Sequence, residues 1–372
     1  MYIKGVGVSK FTKDYKATLE FAKEAIINAL DDSGLNINQL DALVVSNTDN
    51  IFSPDRQRHF NSLLSSLLRR KMPTIRTPAV CGGGGVALWT ALRMGYDNIL
   101  VVGVDRLFTA PSNVVTDHIL ASLERVYEQN EGMIFPAQNA LIAQEHFLRY
   151  GSNLDDLALI ALKNHENAFL NPSAAYYGKR VTLENIKASP VVASPLRLLD
   201  CSIPANGAAA CILSKDIGDI KISGSGLCVD YMTTFERNDM VTWDATKKAA
   251  EDAYKQAGIT PKDVDLVELH DAFTIVELIS YEDLGFAEKG KGQELIRDGV
   301  VNLDGRLPVN PSGGLKAKGH PISATGIAQI VELTEQLRGE SKERQVSNAR
   351  IGLAQNVGGA GGTVTVHILE KC

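Results

Sequence analysis

Three residues of this chain have the type and setting to do chemistry: Cys81, His270 and His320. Cys81 opens the run Cys81-Gly-Gly-Gly-Gly85, between a strand predicted over 74–80 and a helix predicted to reach Leu92. A thiol at a helix N-terminus meets the positive end of the helix dipole and free backbone N–H groups, both of which favour thiolate. The glycines are expected to bare those N–H groups and to let a substrate carbonyl approach. This setting reads as a nucleophile. The plainer reading, a buried core cysteine, has no use for four glycines that each cost a helix roughly 1 kcal/mol relative to alanine. His320 lies in Gly313-Gly-Leu-Lys-Ala-Lys-Gly-His-Pro-Ile-Ser-Ala-Thr-Gly326, a glycine-rich loop running into a helix predicted over 324–337. Histidine moves protons near neutral pH, although an exposed histidine at a helix entry would have the same neighbours. His270, in His270-Asp-Ala-Phe273, ends a predicted strand, where α/β sheets present functional side chains. The bland alternative is a strand-end histidine bonded to a neighbour. A further stretch, Gln355-Asn-Val-Gly-Gly-Ala-Gly-Gly362, reads as a loop that is either a simple turn or a donor of a backbone N–H to an oxyanion. His59, His118, His146 and His367 read as surface or structural residues, and His165 is left open.

The elements that must position these groups occur twice. A periodic helix over 19–30 is followed by Ser33-Gly34 and a strand over 40–46. A second helix, 245–254, is followed by Ala257-Gly258 and a strand over 264–270. Without a gap, Ala25, Ala29, Gly34, Asp41 and Leu43 fall on Ala249, Ala253, Gly258, Asp265 and Val267. In each half the next strong feature is a glycine-rich helix entry, at Cys81 and at Gly319. Two matches in one order imply a duplication. Each half reads as β-α-β-α-β, so the fold class is α/β with mixed sheets covered by helices. The expected division is an N-terminal half over 1–105 plus 200–218, an inserted loop domain over 106–199, and a C-terminal half over 219–372. The insertion carries helices predicted over 137–150 and 157–169, and such insertions usually shape a binding site.

A rival reading starts from Gly82, Gly84 and Ala87, which satisfy a GxGxxA dinucleotide pattern with Asp105 as the ribose partner. It leaves His270, His320 and the duplication without a role. The composition excludes other classes. A net charge of −6 gives no footprint for nucleic acid. No apolar run approaches the roughly 18 residues of a membrane span, and the first eight residues read as a strand instead of a signal peptide. Five cysteines without a CxxC pair fit a reducing cytoplasm. The scattered histidines suggest no catalytic metal.

Taken in order, Cys81 with its glycines, His270-Asp-Ala-Phe273, Asn310-Pro-Ser-Gly-Gly through Gly326, and the closing glycine-rich turn resemble the thiolase superfamily. Within it, the His-Asp-x-Phe strand end and the Gly-Gly-Leu-x-x-Lys-Gly-His-Pro loop resemble the sterol-carrier-protein type and its archaeal relatives. Asn164-His-Glu-Asn-Ala-Phe-Leu-Asn-Pro172 and Pro195-Leu-Arg-Leu-Leu-Asp-Cys201 support this, and the resemblance covers essentially the whole chain. It implies the five-layer α-β-α-β-α thiolase fold, coenzyme A thioesters as substrates and no further cofactor. The implied activity is acetyl-CoA C-acetyltransferase, feeding a mevalonate route. A β-hydroxyacyl-CoA aldolase on the same fold and a binding scaffold are the alternatives. Cys81 would carry the acyl group and His320 would take the thiol proton. Backbone N–H groups of Cys81 and Gly358 would bind the thioester oxyanion, and His320, with a water or group positioned by His270, the enolate oxygen. The resemblance fails at the acid-base cysteine. The two positions that supply it in the family are Asn356 and Ala272 here, leaving Cys201 as a possible surrogate base. The basic cluster of Lys179, Arg180 and Lys187 is meagre for gripping a polyphosphate. The implied partners are a homodimer or tetramer, hydroxymethylglutaryl-CoA synthase and an OB-fold, zinc-ribbon protein.

Overall fold

The computed structural model describes residues 1–48, 57–107 and 112–372. The strands are β1 (Tyr2–Val8), β2 (Ala42–Ser46), β3 (Thr74–Arg76), β4 (Asn98–Arg106), β5 (Val191–Ala193), β6 (Leu196–Arg197), β7 (Asn206–Ser214), β8 (Ile220–Val229), β9 (Leu266–Glu268), β10 (Ile351–Gly358) and β11 (Thr363–Lys371). The helices are α1 (Thr18–Ser33), α2 (Phe60–Leu68), α3 (Gly83–Ala91), α4 (Ser112–Leu120), α5 (Phe135–Tyr150), α6 (Leu154–Phe169), α7 (Leu183–Ala188), α8 (Asp244–Ala257), α9 (Thr274–Asp283), α10 (Gly292–Arg297) and α11 (Thr325–Arg338).

Strand order reveals the repeat. The sheet runs β3-β2-β4-β7-β1-β8-β11-β10-β9. Read outward from its centre, β1-β7-β4-β2 matches β8-β11-β10-β9. In each set the first two pairings are antiparallel and the last is parallel. Within the sheet, among the described residues, the two halves pair where Tyr2 and Ile3 meet Lys221 and Ile220.

Local chemistry repeats with the topology. In α1, Phe21, Ala22, Ala25, Ile26 and Ala29 form a buried stripe of helical period, and Ala245, Ala249, Ala250 and Ala253 do the same in α8. Both helices end on a left-handed glycine, Gly34 at φ 65° and Gly258 at φ 71°. The Asp41 carboxylate accepts the N–H of Asn98 at 2.9 Å, and the Asp265 carboxylate accepts those of Arg350 and Ile351 at 2.8 and 2.9 Å. A further match went unread in the sequence. Gly5 and Gly7 on β1 sit against the carbonyls of Ala29 and Ala25, and Gly224 and Gly226 on β8 against those of Ala253 and Ala249. A Cβ at any of the four would strike helix backbone, so each half needs a Gly-x-Gly strand beside an Ala-x-x-x-Ala helix.

Helices α1 and α8 cover the outer faces, while α3 and α11 touch strands of both halves. The central pair is therefore the middle of five layers, with a sheet and an outer helical layer on either side. In the first half, α4 to α7 and the β5-β6 hairpin separate β4 from β7. In the second, β10 and β11 are joined directly by the turn 359–362. Of the expected insertion, residues 108–111 lie outside the described residues. The predicted strand 74–80 is shorter, ending at Arg76, and the expected loop 355–362 is strand as far as Gly358. Gln355 to Gly358 is buried throughout and so shows no alternation by which a strand could be recognised.

Candidate active site

The central helices begin side by side, and their first residues carry the site. Each glycine after Cys81 is packed rather than open. An added Cβ on Gly82 would lie 3.0 Å from the Gly358 nitrogen, and one on Gly84 would lie 2.8 Å from the Ser323 carbonyl oxygen and 2.9 Å from the Gly326 nitrogen. Gly83 meets the Ser46 hydroxyl and Gly85 that of Thr365. Gly82, Gly84 and Gly85 admit the second half of the molecule and Gly83 admits Ser46, so none is left open for a substrate carbonyl. This also removes the dinucleotide reading, because no ligand fits against Gly82 or Gly84. Asp105 is likewise committed. It is fully buried and accepts the Thr48 hydroxyl at 2.6 Å, the Thr48 N–H at 3.0 Å and the Ser323 N–H at 2.6 Å.

Cys81, His270 and His320 converge. The thiol sulfur and one ring nitrogen of each histidine lie within 4.8 Å of one another. The two rings meet edge to face, with centroids 5.4 Å apart. Thiol and imidazole are ligands that a soft divalent ion accepts, so this trio is also the group among the described residues that could hold one. His320 is placed by three ties. Its N–H donates to the Ile203 carbonyl at 2.9 Å, its Nδ1 lies 2.7 Å from the Thr325 hydroxyl, and its segment runs parallel to Pro204. Behind it, the Asp271 carboxylate accepts the N–H groups of Leu315 and Lys316 at 2.7 and 3.2 Å and the Asn164 amide at 2.9 Å. The residue after His270 thus fastens the loop that carries His320.

Asn356 links the other two. Its Nδ2 donates to the Cys81 carbonyl at 3.0 Å and lies 3.3 Å from His270 Nδ1, while its Oδ1 accepts the Gly85 N–H at 3.0 Å. With that Oδ1 accepting, Nδ2 is the donor to His270. Nδ1 of the ring is then an acceptor, and the ring proton sits on Nε2.

Electrostatics corrects the expected thiolate. Burial, and then the charge of Asp105, push the Cys81 thiol up to about 12, against hydrogen bonds from the N–H of Gly359 and from its own N–H. The residue keeps some contact with solvent, but its sulfur lies deep enough for desolvation to outweigh the helix terminus. Besides its own N–H, the sulfur receives that of Gly359, one residue beyond Gly358. Burial lowers His320 to about 3, and burial together with His320 holds His270 well below the imidazole range. At neutral pH the site is a thiol with two uncharged imidazoles.

A cavity of about 300 Å³ opens on this trio. Ile119, Leu120, Phe135, Trp243, Phe273 and Val276 supply much of its apolar wall. Cys201 and Ala272 line it too, whereas Asn356 does not. Among the remaining histidines, His146 binds Ser152 and Glu282, and His367 the Gly85 carbonyl, as structural residues do. His165 is buried against Tyr176 with both ring nitrogens unpartnered.

Residues 226–371 match the family model described as thiolase C-terminal domain-like. An acetyl-CoA acetyltransferase of Methanothermobacter thermautotrophicus is 40% identical over 99% of this chain and 98% of its own length. The chain belongs to the thiolase family. Sterol carrier protein 2 of Gallus gallus is 35% identical to this thiolase, covering 99% of the chain and 71% of that protein. Among solved structures, the Ltp2–ChsH2(DUF35) aldolase superposes with a TM-score of 0.85 at 24% identity, covering 100% of this chain and 97% of that one. That likeness establishes the shared fold. The thiolase is an acyltransferase.

Proposed function

We propose that this thiolase is an acetyl-CoA C-acetyltransferase that condenses two acetyl-CoA into acetoacetyl-CoA through an acetyl group carried on Cys81. The convergence of Cys81, His270 and His320 at the mouth of one apolar cavity carries the reading. Because the thiol is protonated at rest, its activation belongs to the attack itself. We assign the His320 ring proton to Nδ1, 2.7 Å from the Thr325 hydroxyl, which leaves Nε2 unprotonated. That nitrogen takes the thiol proton as sulfur attacks the thioester carbonyl, then returns it to the departing CoA sulfur. The N–H groups of Cys81 and of the Gly358-Gly359 turn receive the oxyanion. His270 carries its proton on Nε2 and so serves as a hydrogen-bond donor to the enolate oxygen of the second acetyl-CoA, beside His320.

Condensation of two thioesters runs uphill, so the product must be drawn off. We place the enzyme in the cytoplasm at the head of a mevalonate route, with hydroxymethylglutaryl-CoA synthase consuming acetoacetyl-CoA. We expect a homodimeric or tetrameric core. The pairing with a DUF35 protein in the Ltp2–ChsH2(DUF35) aldolase supports a second partner here, for which we expect the OB-fold, zinc-ribbon protein. That aldolase also keeps alive a β-hydroxyacyl-CoA aldolase reading, which Asn356 and Ala272 favour by withholding a thiol from the acid-base positions.

Thiolysis of acetoacetyl-CoA by CoA tests the assignment. Turnover is expected, together with an acetyl adduct on Cys81 after mixing with acetyl-CoA. Turnover no greater than that of Cys81→Ala, with retro-aldol products instead, overturns it. His320→Ala should lose the adduct and His270→Ala should keep it while losing condensation. Equal loss of the adduct in both refutes the division of labour.

A further inference from the structure

The acceptor acetyl-CoA must lose a methyl proton, and the cavity wall limits which group can take it. Four side chains facing the cavity are of a type that serves as a general base: Cys81, Cys201, His270 and His320. Cys81 holds the acyl group at that stage. His270 has its second nitrogen protonated, because Asn356 donates to the first. His320 faces the sulfur that is about to leave.

Cys201 is held where a base is wanted. The segment from Cys201 to Pro204 is stitched on one side to the His270 strand end, through the Cys201–Phe273 bridge and the Ser202 N–H donating to the Ala272 carbonyl at 2.8 Å. On the other side it is stitched to the His320 loop, through Pro204 and the Ile203 carbonyl. One strip therefore runs from the His270 strand end to the His320 loop, and its thiol lines the same cavity as both histidines. Its sulfur lies 3.4 Å from the Arg197 carbonyl, and the three-atom Cys81 cluster does not include it. Behind it stands Lys316, wholly buried, with Nζ donating to the Leu199 carbonyl at 3.2 Å.

We infer that Cys201, backed by Lys316, is the base that removes the α-proton of the acceptor thioester. This rests on the acetyltransferase reading above. The Cys201 thiolate takes a methyl proton, and the C–H electron pair becomes the enolate. The enolate forms the new C–C bond at the Cys81 acetyl carbon as that carbon's bond to sulfur breaks. The proton gained by Cys201 then passes to the released Cys81 sulfur, restoring both groups. The charged groups around Cys201 are Lys316, which favours its thiolate, and Asp200, which opposes it, with Asp271 and Glu277 beyond the lysine. Burial dominates and lifts the thiol to about 11.

Exchange of the acetyl-CoA methyl protons into D₂O reads this step directly. In Cys201→Ala, exchange should fall at least about a hundredfold, the usual worth of a positioned base, while the acetyl adduct on Cys81 still forms. Ala272→Cys added to that variant, which puts a thiol back across the bridge, should restore part of the exchange. Undiminished exchange in Cys201→Ala overturns the inference. Should the variants not fold, the unaltered enzyme still decides. With Cys201 as base, exchange climbs about tenfold per pH unit from about pH 7 to about pH 10. A flat profile, as an imidazole lowered to about 3 would give, refutes Cys201. Absence of any acetyl adduct in the unaltered enzyme is a separate result, and it strikes the acetyltransferase reading instead.

Discussion

At Cys81, a helix start and two backbone N–H groups pull toward thiolate, while desolvation and Asp105 pull toward thiol. The second pair wins, and the sequence had no means of weighing them. It places the cysteine before a helix, but not beneath the second half of the chain. The same blindness hid Asn356. Read in sequence, it is the place where an acid-base cysteine is missing; folded, it is the clamp that ties Cys81 to His270 and fixes a tautomer. Both effects come from contacts 275 and 86 residues apart along the chain, beyond the reach of local pattern. A pH measurement follows. With a folded pKa of about 12, the thiolate fraction of Cys81 rises with pH throughout the accessible range. Alkylation of the substrate-free enzyme by iodoacetamide at Cys81 should therefore accelerate about tenfold per pH unit up to about pH 10. A plateau below about pH 8 would mean that the helix terminus prevails after all.

Among the elements, the glycine runs were conspicuous in the sequence and their purpose was not. Helix periodicity in α1 and α8, and the left-handed stops at Gly34 and Gly258, follow from local spacing and were read correctly. The crossing of α3 and α11 does not, because it depends on which surfaces meet. Gly84 has the Ser323 carbonyl and the Gly326 and Ile327 nitrogens where its Cβ would stand, all backbone atoms unable to rotate aside. On an exposed helix, Gly→Ala gains up to roughly 1 kcal/mol. Here overpacking, worth about 1–3 kcal/mol, opposes that gain and should exceed it. Urea unfolding of Gly84→Ala is expected to show a net loss of stability, accompanied by slower acylation of Cys81 as the helix starts are pried apart. A stabilised variant would mean that the central layer is looser than these contacts describe.

For the whole molecule, two similar halves close on each other and leave their helix starts facing one cavity. Gly-x-Gly on β1 and on β8 beside Ala-x-x-x-Ala was present in the sequence as a signal of this repeat and was missed for want of a partner to compare it with. The chemistry is asymmetric, with Cys81 from one half and His270 and His320 from the other, and the insertion belongs to one half only. Its helix α6 reaches the His320 loop through Asn164 and Asp271, so the inserted segment braces the site as well as roofing it. Its basic residues are occupied at home. Lys187 pairs with Asp155 at 2.6 Å, Lys179 donates to the Ala175 carbonyl at 3.0 Å, and Arg180 lies over the Phe169 ring. Exposed pairs of this kind are weak, and these three residues form no dense cationic surface among the described residues to hold the phosphates of CoA. A partner that supplies that surface would strengthen thioester binding without touching the reacting atoms. CoA affinity, measured by calorimetry on the isolated thiolase and on the complex coexpressed with a DUF35-type protein, is expected to rise at least about tenfold in the complex, about 1.4 kcal/mol. Cys81 acetylation at saturating acetyl-CoA should stay unchanged. Equal affinity in the two preparations would show that the thiolase grips its substrate unaided and would remove the reason for the partner.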